Sequence, residues 1–173
     1  MSKHGHAPRR HTPRLLPPPV SFEIREETIW AGDILVSKER IRMTTVLGSC
    51  VTVCLFDSLH CFGGMNHYLL PSPGADGRHG DWSIREMHQR MLNLGSRPHN
   101  LQAKVFGGGS PLTFANESSG VGSDNARVAF ETLAELKVPV ASECVGCNSG
   151  MRLYFENWSG LVLVRPHREG GQS

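Results

Sequence analysis

Two runs constrain the fold of this chain more than any other feature: residues 44–57, TTVLGSCVTVCLFD, and residues 63–71, GGMNHYLLP. Both are dense in β-branched and small apolar residues, and a turn signal lies between them. They read as neighbouring strands paired through a turn at 58–62. In the first, alternation puts Val51, Val53 and Leu55 on one face and Cys50, Thr52, Cys54 and Phe56 on the other. In the second, Met65, His67 and Leu69 share a face, and Pro71 closes the strand. Pairing brings Cys50 and His67 to the same end of the two strands.

The rest of the chain adds strands and two helices. Residues 28–37 read as strand, turn, strand. After a polar, glycine-containing loop at 72–80, a helix is expected, capped by Asp81 or Ser83. Ile84, Met87, Met91 and Leu94 carry its helical spacing, and Gly95 ends it. Residues 102–106 form a strand running into Gly107, Gly108 and Gly109. A second helix spans about 123–137, with Ala126, Ala129, Phe130, Leu133 and Leu136 as its stripe. A strand at 138–143 and a hairpin of 151–156 and 160–164 complete the pattern. The expected class is α+β: a single layered domain of mixed β-sheets with helices packed on one side.

Length and charge narrow the function. The 173 residues suit one domain, placed at 21–168. Residues 1–20 hold four Lys/Arg, three His, five Pro and no acid. They read as a disordered basic tail, with a docking arm for an acidic partner as the alternative. Residues 169–173 form a second flexible tail. The net charge of +2 does not describe a nucleic-acid binder. No apolar run reaches the roughly 18 residues of a membrane span, and no signal-peptide core follows the basic start. A cytoplasmic protein without membrane insertion is expected. Five cysteines, an odd number, argue for free thiols rather than a disulfide framework.

Three features carry chemistry. Leu47-Gly48-Ser49-Cys50 places a thiol after a glycine turn, where main-chain N–H groups converge on one spot. Taken alone it reads as a buried inert thiol. His67 on the neighbouring strand changes that, because an imidazole within reach takes the thiol proton. Thr44 and Thr45, six and five residues before Cys50, offer a hydroxyl to orient the histidine or bond a substrate amide. Gly107-Gly108-Gly109-Ser110 lacks the lysine of a phosphate loop and suits close approach to the nucleophile pocket. Cys144-x-x-Cys147 reads as incidental thiols, with zinc ligation or a redox pair as alternatives.

Residues 47–57, 63–71 and 103–109 (AKVFGGG) resemble, in order and spacing, the core of the CheD family. Gly122-Ser123-Asp124-Asn125 is similar to that family's Ile-Gly-x-x-Asn element, and Pro139-Val140-Ala141 and the 161–165 run also fit. The resemblance spans about residues 25–166. It implies a cysteine hydrolase fold similar to that of deamidating bacterial toxins. It also implies conversion of selected chemoreceptor glutamines to glutamate through a thioester. Cys50 is then the nucleophile, His67 the base and Thr44 the third residue, with Ser49, Gly48 and Asn66 as substrate or oxyanion contacts. No metal or organic cofactor is implied. The implied partners are cytoplasmic receptor helices and a CheC-like phosphatase. Two other readings stand beside this one: methyl-ester hydrolysis at the same receptor sites, and a non-catalytic adaptor that binds such a phosphatase.

Overall fold

Two largely buried strands, β3 (Ile41–Leu47) and β4 (Val51–Asp57), set the architecture in a computed structural model, which describes residues 23–109 and 120–167. The expected tails at 1–20 and 169–173, and Ser110, lie outside the described residues. β4 pairs antiparallel with β5 (Phe62–Asn66) and with β6 (Leu101–Gly107). With β2 (Ile34–Ser37) and β7 (Val140–Val145) they form a five-stranded sheet in the order β2-β5-β4-β6-β7. β1 (Arg25–Thr28), β3, β8 (Met151–Glu156) and β9 (Val162–Pro166) form a second sheet in the order β1-β3-β8-β9. Both sheets are mixed: β1 runs parallel to β3 and β6 parallel to β7, while the other pairs are antiparallel.

The two faces of β4 feed two cores. Val51, Val53 and Leu55 pack under α1 (Gly80–Asn93) and α2 (Val121–Glu135). Cys50, Cys54 and Phe56 face the second sheet, with Met43, Leu47, Leu153 and Phe155. The layers are therefore helices, five-stranded sheet, four-stranded sheet, with helices on one side as expected. Ile84, Met87 and Met91 are fully buried, and each contributes on the order of 1.5–3 kcal/mol by leaving water.

Helix α1 starts at Gly80, with His79 at the N-cap and no side-chain cap, instead of being capped by Asp81 or Ser83. Gly80 lies against the Tyr68 ring, where an added Cβ would sit 2.6 Å from Cε2. The Ser83 hydroxyl is held by Asn66 instead. α2 starts at Val121, two residues before its expected position.

Gly63 fixes the spacing of the layers. A Cβ there would lie 2.5 Å from the Leu55 carbonyl and 2.9 Å from Phe155 Cζ. Gly63→Ala is therefore expected to lower the unfolding free energy by about 3 kcal/mol, the upper end of overpacking costs. Urea denaturation measures it, and a loss under about 1 kcal/mol would contradict this account of the packing.

Candidate active site

Val51 and Tyr68 exchange both main-chain hydrogen bonds, at 3.1 and 3.0 Å. That register places Cys50 opposite Leu69 and makes Cys50 and His67 diagonal neighbours on the inter-sheet face. Diagonal positions lie about 7–8 Å apart, with Cβ atoms closer, within reach of an imidazole. Asn66 is one residue out of phase and points the other way, into the helix-side core. It is fully buried, accepts from the Val53 N–H at 2.7 Å and donates to Ser83 Oγ at 2.9 Å. Both ends of its amide are used, so it braces β5 against β4 and α1 rather than facing a substrate.

The turn that carries Cys50 is tied down through its carbonyls. Gly109 N–H donates to the Gly48 carbonyl at 2.8 Å, and Gly108 N–H to the Cys50 carbonyl at 2.8 Å. Asn125 Nδ2 donates to the Ser49 carbonyl at 3.0 Å and to the Leu69 carbonyl at 2.9 Å. With three successive carbonyls drawn inward, the Ser49 and Cys50 N–H groups have no main-chain acceptor among the described residues. β6 reaches this turn by bending at Gly107 (φ +105°) and Gly108 (φ +62°), conformations that favour glycine. A Cβ at Gly107 would collide with the Cys50 carbonyl oxygen. Asn125 clamps both strands of the site at once. In the sequence Asn125 stands out only as the last residue of Gly122-Ser123-Asp124-Asn125.

The histidine is held on one side only. Thr45 Oγ1 lies 2.7 Å from the Ile29 carbonyl, which only accepts, so the hydroxyl proton is committed there. His67 Nδ1 is 2.9 Å from the same Oγ1 and 3.4 Å from the Ile29 carbonyl. Nδ1 therefore carries the ring proton, a tautomer assigned from this network, and Nε2 keeps its lone pair. Nε2 is buried with no hydrogen-bond partner among the described residues. Burial pulls His67 below its ordinary pKa, against the opposing pull of the Ile29 carbonyl and Asp33. Burial also pushes the Cys50 thiol up, opposed in part by its own main-chain N–H. The resting pair at neutral pH is then a thiol and a neutral imidazole.

Thr44 does not reach this network. In β3, Ile41, Met43, Thr45 and Leu47 share the inward parity, and Arg42, Thr44 and Val46 face outward. The Thr44 hydroxyl is buried without a partner among the described residues. The hydroxyl beside His67 is that of Thr45, where the family resemblance implies Thr44 as the third residue.

A cavity of about 300 Å³ reaches His67 and Thr45 from the edge where β1 ends, bounded by Trp30, Arg152 and His167. A larger one, about 460 Å³, lies on the outer face of the second sheet by Tyr154 and Leu163 and touches none of these groups. The other thiols differ from Cys50. Cys54 is buried and its pKa is driven far up, chiefly by burial, while Cys61 is exposed.

Fold and site thus define a layered α+β protein with an imidazole hydrogen-bonded to a hydroxyl between its sheets and a thiol at the diagonal position of the neighbouring strand. A protein-family model described as CheD chemotactic sensory transduction matches residues 69–166, beginning two residues past His67. The chain is 33% identical over 153 residues to a probable chemoreceptor glutamine deamidase CheD of Trichlorobacter lovleyi, covering 86% of this chain and 95% of that one. It is 40% identical over 126 residues to a protein of the same description from Rhodospirillum rubrum, covering 71% and 72%. To a probable chemoreceptor glutamine deamidase CheD 1 of Anaeromyxobacter dehalogenans it is 35% identical over 164 residues, covering 93% and 96%. This chain belongs to the CheD family. Among the described residues, no helix is long and apolar enough to cross a membrane.

Proposed function

We propose that this chain hydrolyses selected glutamine side chains of chemoreceptors to glutamate, releasing ammonia, as part of chemotaxis. The observation that carries the chemistry is His67 diagonal to Cys50, with Nδ1 beside the Thr45 hydroxyl and Nε2 buried without a partner among the described residues. The names of the relatives supply the substrate. His67 Nε2 takes the Cys50 proton as the sulfur attacks the amide carbon. The Ser49 and Cys50 N–H groups face the developing oxyanion, where such a donor is worth about 3–4 kcal/mol. The imidazolium gives its proton to the departing ammonia, leaving a thioester. His67 then deprotonates a water that attacks the thioester, which releases glutamate and returns the proton to Cys50.

We read the layered architecture as that of the cysteine hydrolases that include deamidating toxins. The setting is the cytoplasm, with receptor helices as substrate and a CheC-like phosphatase as a further partner. The test is product analysis with a purified receptor cytoplasmic fragment. Ammonia should appear in step with new glutamate. Methanol without ammonia would move the reading to ester hydrolysis.

The pH dependence has a definite sign. A depressed His67 pKa means the base is neutral down to below the ordinary value of about 6.5. kcat/KM should therefore be level near neutrality and fall as pH drops through that lowered pKa. A rate that instead climbs through the ordinary thiol range of about 8.5 and above would contradict general-base activation.

A further inference from the structure

Cys144 and Cys147 are not used by the proposed chemistry, and their Sγ atoms lie 3.4 Å apart. Both are partly exposed. Gly146 between them turns at φ +73°. Among the described residues no group of three or more His, Cys, Asp or Glu gathers as metal ligands, which leaves the pair without the four ligands of a structural zinc. Two thiols in contact and within reach of solvent suit thiol–disulfide exchange.

Their position gives the exchange a consequence. The Gly146 N–H donates to the Gly107 carbonyl at 3.0 Å, and the Cys147 carbonyl packs so closely on Gly109 that an added Cβ would collide with it. Gly108 and Gly109 in turn hold the Cys50 and Gly48 carbonyls. One layer of contact separates the dithiol from the nucleophile turn.

We propose that Cys144 and Cys147 form a reversible oxidation site, closed by a low-molecular-weight disulfide, whose closure misplaces the Cys50 turn and slows the enzyme. The thiolate of one cysteine attacks the oxidant's disulfide, forming a mixed disulfide and releasing one small thiol. The thiolate of the other then displaces the second small thiol and forms the Cys144–Cys147 bond. Two electrons and two protons leave the protein's thiols and end on the two small thiols. The sulfurs close from 3.4 Å to about 2.05 Å, which draws Cys147 along Gly109.

The coupling to turnover rests on the deamidase reading; the disulfide itself does not. The test treats the full chain with glutathione disulfide, maps thiols by peptide mass and assays receptor deamidation, for wild type and Cys144→Ser. The proposal expects a Cys144–Cys147 disulfide in wild type. It also expects a fall in kcat on the order of tenfold, restored by dithiothreitol and absent in Cys144→Ser. Two free thiols at these positions while exposed Cys61 is modified would overturn it. So would a disulfide that leaves wild type and Cys144→Ser equally active. If the reduced wild type has no deamidase activity, the deamidase reading fails, and the mass map still decides the disulfide.

Discussion

Cys50→Ala is expected to lower ammonia release from receptor glutamine by about 10⁴-fold or more, with the fold intact. The loss follows from covalent chemistry, since without the sulfur no thioester forms and His67 can at best activate water against an unpositioned amide. The fold survives because the turn is held by its carbonyls, which Gly108, Gly109 and Asn125 bond irrespective of the side chain at position 50. The stability cost of removing the partly buried sulfur should stay near about 1 kcal/mol. Circular dichroism melts beside the ammonia assay check both halves. The other two thiols of this strand pair cannot substitute: Cys54 is sealed between the sheets and held as a thiol, and Cys61 sits in the β4–β5 turn at the far end of the strands.

The second large effect separates two adjacent threonines. Thr45→Val removes the group that fixes the His67 proton on Nδ1, and kcat is expected to fall about 10–100-fold, the usual range for losing a histidine's orienting partner. The Ile29 carbonyl then keeps only the longer 3.4 Å contact with His67 Nδ1, and stability should fall by about 1 kcal/mol. Thr44→Val removes a buried hydroxyl that bonds nothing among the described residues. It should leave kcat within about threefold of wild type and raise stability by about 1 kcal/mol, since an unpaired buried polar group is lost. Steady-state kinetics and urea melts of both variants decide the matter. A collapse of kcat in Thr44→Val with Thr45→Val unaffected would contradict this and give Thr44 the role that the family resemblance implies.

Much of the site was legible from two-residue alternation. The pairing of 51–57 with 62–66 and the shared face of Cys50 and His67 follow from parity and a short turn, whereas 44–47, read as part of the same run, belongs to β3 of the other sheet because the chain turns at Gly48-Ser49. Both helices followed from their 3.6-residue stripes. The same parity, carried back through Ile41, Met43 and Leu47, would have turned Thr45 inward and Thr44 outward. The motif spacing of the family pointed one residue away. Asn66 follows the same parity: it is out of phase with His67 and in phase with Phe62 and Tyr68, which line the helix side. What no local pattern carries is long-range closure. The parallel pairing of β1 with β3, the division into two sheets, and the reach of Asn125 across to Ser49 and Leu69 depend on contacts between distant parts of the chain. The helix start at Gly80 depends on the Tyr68 ring, which nothing near residue 80 announces.

The claim that Cys50 drives receptor deamidation is tested most directly by peptide mass mapping of a chemoreceptor co-expressed with this chain. With the wild-type chain, specific receptor glutamines should be converted to glutamate. With Cys50→Ala, expressed at equal level, the same positions should remain glutamine. Conversion that persists in the Cys50→Ala strain, and disappears only when the chain itself is absent, would contradict the assignment of the nucleophile.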